Sequence, residues 1–269
     1  MFVRRGGSGD GPALLLIHGL GATGAVWDGL TDLLSDHWPG PWIVPDLPGH
    51  GRSSPAPQAR YSIGGLAAAV ATTVGAGTSS IGGLAVPTEL EPGRPLVAVG
   101  HSLGGGVAVA LASGWFGVQP SAALALGVKV RWSSEELAKV AELAARPARV
   151  FATRDEAADR ALKIAGLTGL LPPDTPLVDA AVVPSEGGWR LALDPAAFAV
   201  GAPAMESLLA AARAPVVLAA GEHDPMSPVE HLQALVPDPL VLKGLGHNAH
   251  VEDPAALLPL LDRLAAPGG

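Results

Sequence analysis

Hydrophobic positions along the chain fall in short unbroken runs separated by glycine-rich or charged turns. ALLLIH (13–18), PWIVP (41–45) and LVAVG (96–100) are each of strand length. Unbroken runs, as opposed to alternating ones, mark strands covered on both faces, as in a parallel sheet. Helical stretches lie among them, Ile63–Val74 and Gly104–Ser113 (GGGVAVALAS). This alternation predicts right-handed βαβ units and an α/β architecture with a mostly parallel central sheet flanked by helices. Residues 75–94 break the pattern and read as a Gly/Ser-rich surface insertion.

After about residue 130 the periodicity changes. Ser133–Ala145 and Arg154–Ala165 read as amphipathic helices, the first capped by Ser133 or Ser134. LLPPDTP (170–176) and EGGW (186–189) follow as Pro/Gly-rich stretches. Alternation then resumes with a strand at Pro215–Ala220, a helix at Pro228–Val236, a strand at Leu240–Lys243 and a closing helix at Pro254–Leu264. The expected organisation is a core from residues 1–129 and 206–269. Residues 130–205 form a helical cap inserted between its strands, mobile over the strand ends.

Composition narrows the function classes. Of 269 residues, 48% are hydrophobic and 16% charged, which supports a sizeable buried core. Cysteine is absent, so a disulfide framework, a Cys-based zinc site and a thiol nucleophile are all excluded. The net charge of −8 and the lack of a basic block argue against nucleic-acid binding. The N-terminal apolar run, Ala13–Ile17, is too short for a signal sequence or a membrane span. The expectation is a cytoplasmic protein with no membrane partner and an unspecified oligomeric state.

Candidate chemistry begins at Gly100-His101-Ser102-Leu103-Gly104. A serine flanked at −2 and +2 by glycines, between a strand and a helix, suits a strained turn that projects its hydroxyl, because neither glycine has a Cβ to clash. Such a hydroxyl needs a histidine to take its proton and a carboxylate to hold that histidine. The partners are expected after late strands, in the order serine, acid, histidine. The first such loop is Gly221-Glu222-His223-Asp224, where Asp224, followed by Pro225, is preferred and Glu222 is the alternative acid; His223 reads as a turn residue. The second is Gly244-Leu245-Gly246-His247, where His247 is the preferred base. His250 competes with it or lies behind it as a pocket wall. The two histidines could also be read as metal ligands, but no third ligand accompanies them at a metal spacing.

Oxyanion stabilisation is expected from the backbone N–H of Leu103, directly after the serine, and of Leu20 in the loop after an early strand. His18 in that loop reads as structural. Gly19, Trp27, His101, Trp132 and His250 are candidate pocket residues. Trp27, Trp115, Trp132 and Trp189 could line an apolar pocket or simply fill the core.

Taken together, HGLGATGAVWDGL, DLPGHGRSS, GHSLGG, GEHDPM and GLGHNAHVEDP resemble, in order and spacing, the lid-bearing branch of the α/β-hydrolase superfamily. The resemblance covers nearly the whole chain outside residues 75–94 and most of 130–205. It implies that Ser102, Asp224 and His247 form a catalytic triad, and that Asp46, in DLPGHGRSS, orders its loop. A serine at this position also sets the chain apart from the branches with an aspartate nucleophile, haloalkane dehalogenases and epoxide hydrolases.

The expected function is hydrolysis of small to medium carboxylic esters through an acyl-enzyme, without cofactor or metal. The same triad on this fold also serves C–C bond hydrolysis, lactone opening, acyl transfer and lyase or cyclisation chemistry. A ligand receptor that retains the triad is the alternative outside enzymes. The substrate, expected to be a small-molecule ester or related acyl compound, is decided in the cap. Residues 129–163 hold eight of the 17 basic residues against six acids, a local +2 in a chain whose remainder carries −10. These charges either recognise a substrate carboxylate or phosphate, or are solvated helix faces paired among themselves.

Overall fold

The computed structural model describes residues 1–56, 58, 60–75, 80–81, 84–85 and 93–265. Within the first half lie β1 (Val3–Gly6), β2 (Ala13–Ile17), α1 (Asp28–His37), β3 (Trp42–Pro45) and α2 (Ile63–Val74). Next come two short strands, β4 (Ser80–Ile81) and β5 (Leu84–Ala85), then β6 (Leu96–His101), α3 (Leu103–Leu111) and β7 (Ala122–Leu126). The middle comprises α4 (Ser134–Ala144), β8 (Val150–Phe151), α5 (Arg154–Ala165), α6 (Pro176–Ala181), β9 (Val182–Ser185), β10 (Gly188–Leu191) and α7 (Met205–Ala211). The chain then continues with β11 (Val216–Gly221), α8 (Val229–Gln233), β12 (Leu240–Leu242), α9 (Ala249–Glu252) and α10 (Leu258–Ala265).

Seven strands form the central sheet in the order β1-β3-β2-β6-β7-β11-β12. All neighbours are parallel except β1, which pairs antiparallel with β3. Both faces are covered, as the unbroken apolar runs require. Along β2, Leu14 and Leu16 join Leu30 and Leu34 of α1 and Leu261 and Leu264 of α10. Ala13, Leu15 and Ile17 face the other way, toward Leu66 and Val70 of α2 and Val107 and Leu111 of α3. Each fully buried leucine contributes about 1.5–3 kcal/mol, so this central strand is among the most stabilising segments of the chain.

The strand order places a functional crevice before any side chain is considered. From β2 the chain passes to β3 on one side, then returns to β6 on the other. Loops leaving the carboxyl ends of β2 and β6 therefore diverge and leave a gap between them. His18–Gly21 and Ser102 stand at those two ends.

Two strands escape the sequence pattern. β7 (AALAL) lacks β-branched residues, and β1 (VRRG) is half polar because it is an edge strand. The insertion at 130–205 also differs from the helical cap expected, because β8, β10 and β9 form a three-stranded antiparallel sheet within it. The stretch EGGW conceals a hairpin: Ser185 pairs with Gly188 across Glu186 and Gly187, and Gly187 has φ +80. A Cβ on Gly188 would stand 2.1 Å from the carbonyl oxygen of Phe151, so β8 can approach only a glycine there. Part of this segment packs on the core. Ala157, Ala158, Ala161 and Leu162 of α5 and Leu177 and Val178 of α6 belong to the same buried cluster as the central sheet. By contrast α4, held by a Ser133–Glu136 capping box, buries no side chain. Of the insertion expected at 75–94, only Gly75, the β4–β5 pairing, Gly93 and Arg94 are described; the rest lies outside the described residues.

Candidate active site

Ser102 occupies the turn between β6 and α3 with φ 51 and ψ −115. A non-glycine residue in this region stores strain, typically about 1–3 kcal/mol, that the surroundings must enforce. The flanking glycines permit the turn. A Cβ on Gly100 would lie 2.0 Å from the carbonyl oxygen of Gly104, and one on Gly104 would lie 2.2 Å from that of Ile17. α3 is thereby pressed against β2, and Ser102 projects into a cavity of about 340 Å³.

His247 lines the same cavity from the loop after β12. Its Nδ1 lies 3.0 and 2.9 Å from the two carboxylate oxygens of Asp224, after β11. The Asp224 side chain is fully buried, and it also accepts the backbone N–H groups of Met226 (2.8 Å) and Ser227 (3.1 Å). Ser227 in turn donates its hydroxyl to the carbonyl of Val128, tying the acid's loop to the end of β7. With Nδ1–H committed to the carboxylate, Nε2 is the nitrogen left to accept a proton. Among the described residues the Ser102 hydroxyl makes no hydrogen bond; such contacts are often long without substrate and tighten when it binds.

The histidine's backbone is clamped from several sides. Glu252 of α9 accepts the N–H of Gly246 (2.7 Å) and of Asn248 (3.2 Å), bracketing His247. Asn248 donates its side-chain amide to the carbonyl of Gly166 at the end of α5 (2.9 Å), which joins this loop to the insertion. The His101 Nε2–H donates to the carbonyl of His247 (2.8 Å). Glu252 has no motif-level signal, since its role depends on α9 folding back over the loop.

Burial keeps the surrounding histidines neutral. His101 is pushed well below the ordinary histidine range by burial, and further by His250 and His247. His250 is held at about 3 by burial and then by His247. It packs against Trp27 and His101 with the rings tilted, and among the described residues neither of its ring nitrogens has a partner. His18, lowered to about 4 by burial, donates Nδ1–H to the carbonyl of Gly19 and accepts the N–H of Leu47 at Nε2. It is structural, as expected.

Backbone groups complete the crevice. Leu20 and Leu103 both line the cavity, and their N–H groups have no acceptor among the described residues. For Leu103 this follows from its place at the start of α3, where the first N–H groups of a helix find no intrahelical partner. Gly19 lies so close that an added Cβ would be 3.3 Å from Cβ of Ser102. Gly19, His101 and Trp132 line the cavity, while Trp27 and His250 do not. Both are fully buried: His250 packs against His101 of the cavity wall, and Trp27 packs against His250. Among the other tryptophans, Trp115 is 66% exposed and Trp189 sits in β10. Ile164 and Phe198 of the insertion line the cavity too and carried no signal in the sequence.

Asp46 orders its own loop: Oδ1 accepts from Gly24 N–H (2.7 Å) and Oδ2 from Arg52 N–H (2.9 Å). Glu222 does not line the cavity and accepts the N–H of Gly244. His223 is exposed. Among the described residues no group of three His, Asp or Glu side chains is placed to hold a metal ion, and no helix is long and apolar enough to cross a membrane.

Residues 14–260 match the alpha/beta hydrolase family. The chain belongs to that family. The curated relatives match over a limited stretch. An uncharacterized protein of Mycobacterium tuberculosis is 37% identical over 105 residues, 39% of this chain but 26% of that protein. The pimeloyl-[acyl-carrier protein] methyl ester esterase of Aeromonas hydrophila is 43% identical over 63 residues, 23% of this chain and 24% of that protein. Matches to these relatives thus span about a quarter of their length. Among solved structures, the thioesterase domain from the curacin biosynthetic pathway superposes with a TM-score of 0.73 at 21% identity, over 97% of this chain and 94% of that one, a likeness of fold.

Proposed function

We propose that this chain is a serine hydrolase of small to medium carboxylic esters. In this reading His247 Nε2 takes the proton of Ser102 as Oγ attacks the ester carbonyl. The N–H groups of Leu20 and Leu103 receive the oxyanion. His247 then gives its proton to the departing alcohol, leaving an acyl group on Ser102. Water, deprotonated by the same histidine, releases the acid and restores the serine. Asp224 keeps the proton on Nδ1 and stabilises the imidazolium; no step needs a cofactor or metal. Residues 130–205 act as a cap, and its side chains Trp132, Val140, Ile164 and Phe198 give the cavity a mostly apolar roof suited to an acyl chain, with Lys163 beside them.

The observation that carries this reading is the strained Ser102 in one cavity with the His247–Asp224 pair and two unpartnered N–H groups. The esterase among the relatives supports the same chemistry. The test is Ser102→Ala assayed on p-nitrophenyl butyrate. A fall in kcat of about 10⁴-fold with an unchanged circular dichroism spectrum is expected. Activity within tenfold of the parent would rule the proposal out.

A further inference from the structure

A second cavity, of about 330 Å³, lies against the catalytic one, and Ile164 and Phe198 line both. Basic side chains reach both, Lys129 and Lys163 the catalytic cavity and three arginines the second. Arg146, Arg149 and Arg160 line the second cavity, with no aspartate or glutamate among its lining residues. Arg146 is paired with Glu142 one helical turn away. The Arg149 guanidinium lies 4.7 Å from the centroid of the Phe151 ring, a contact that orients it without neutralising it. Neither Arg149 nor Arg160 has a carboxylate partner among the described residues.

This splits the basic segment read from the sequence. Lys129, Arg146 and Arg154 are paired with Glu136, Glu142 and Asp179, the solvated alternative. Arg149 and Arg160 are left to a cavity whose other walls are mostly apolar. Guanidinium groups gathered around one space repel one another, and an anion with two oxygens satisfies them in bidentate geometry. α5 sets the spacing: Arg160 and Ile164 are four residues apart and share one helix face, so the cation stands one turn from the partition between the cavities.

We propose that the second cavity binds the anionic end, a carboxylate or a phosphate monoester, of an acyl substrate whose ester lies at Ser102. This rests on the ester-hydrolase reading. An acyl chain passing between Ile164 and Phe198 leaves the catalytic cavity for one flanked by the unpaired Arg149 and Arg160. The preferred substrate is then an ester with a charged group at the far end of its acyl chain, and a neutral chain of equal length is a poorer one.

The experiment compares three esters: methyl hexanoate, monomethyl adipate and methyl 6-phosphonooxyhexanoate. They are assayed with the parent chain and with the double variant Arg149→Gln, Arg160→Gln. For the parent, kcat/KM is expected to be about tenfold higher for at least one anionic ester, with the advantage falling as salt is added. The variant loses that advantage while methyl hexanoate stays within twofold. The larger loss, on carboxylate or on phosphate, identifies which anion the site takes. No anionic preference in the parent, or an equal loss on all three esters, would overturn the proposal. Calorimetric titration of adipate and hexyl phosphate separates this question from the ester chemistry. If methyl hexanoate is not turned over, tighter binding of either anion to the parent than to the variant, by about tenfold, still supports the anion site. Equal or absent binding refutes it.

Discussion

The floor of the candidate site and the outer part of its roof are built by different rules. On the floor nearly every contact is fixed by backbone stereochemistry. Gly100 and Gly104 have no room for a Cβ, Ser102 is held at φ 51, and the His247 loop is clamped by Glu252 and His101. In the roof, α4 buries no side chain and carries a capping box and an exposed ion pair between Glu142 and Arg146. Chemistry that must place a hydroxyl, an imidazole and two N–H groups within a fraction of an ångström tolerates little variation. Under the proposed ester hydrolysis, a surface that only encloses the acyl chain tolerates much more. The same fold can thus keep its reaction while its substrate changes.

The largest effect that sharpens this contrast is expected at Gly104→Ala. The new Cβ meets the Ile17 carbonyl at 2.2 Å, and neither backbone can retreat without separating α3 from β2. A destabilisation of about 3 kcal/mol or more, or failure to fold, is expected in urea denaturation. Leu137→Ala on the exposed part of α4 serves as the contrasting change and should cost under about 0.5 kcal/mol. Equal costs at the two sites would erase the distinction.

Glu252→Gln comes next. One neutral amide cannot accept both N–H groups as strongly as the carboxylate does, so His247 loses alignment rather than chemistry. A drop in kcat of about ten- to a hundredfold with KM within twofold is expected in steady-state ester hydrolysis. A change confined to KM would assign Glu252 to substrate binding instead.

The buried histidines give a smaller effect, tied to pH. In the unfolded chain each has a value near 6.5; folded, His18 is lowered to about 4 and His50 and His250 to about 3. Between these values the unfolded chain binds more protons. Stability is therefore full above pH about 6.5 and falls with acidification, by about 1.4 kcal/mol per unit for each histidine, until the folded values are reached. His250→Phe keeps a ring against Trp27 and removes one such group. Its acid-unfolding midpoint, followed by tryptophan fluorescence, should move to lower pH; an unchanged midpoint would mean that His250 is not held neutral by burial.

Arg146→Ala should have the smallest effect. Its pair with Glu142 has side chains 60% and 65% exposed, so the loss of thermal stability corresponds to under about 0.5 kcal/mol. A larger loss would show that α4 depends on this pair.

The same contrast decides what could be read from the sequence. Ser102, Asp224 and His247 were legible because a serine elbow and strand-end loops impose local spacing, and the α2 and α5 boundaries followed from periodicity alone. Glu252 was not legible, since its two hydrogen bonds exist only after α9 folds back. For Trp27 and His250 the sequence left open whether they line the pocket or lie behind it, because composition gives no depth; both are fully buried. The hairpin of β9 and β10 was hidden in a Gly-rich stretch that looks like a loop until β8 approaches Gly188.

Covalent labelling tests the central claim most directly. The chain is treated with a fluorophosphonate, digested and mapped by mass spectrometry. A single adduct on the peptide containing Ser102 is expected, absent in Ser102→Ala and formed about 10³-fold or more slowly in Asp224→Asn. An adduct on another residue, or labelling of Ser102→Ala at the parent rate, would contradict the assignment of Ser102 as nucleophile.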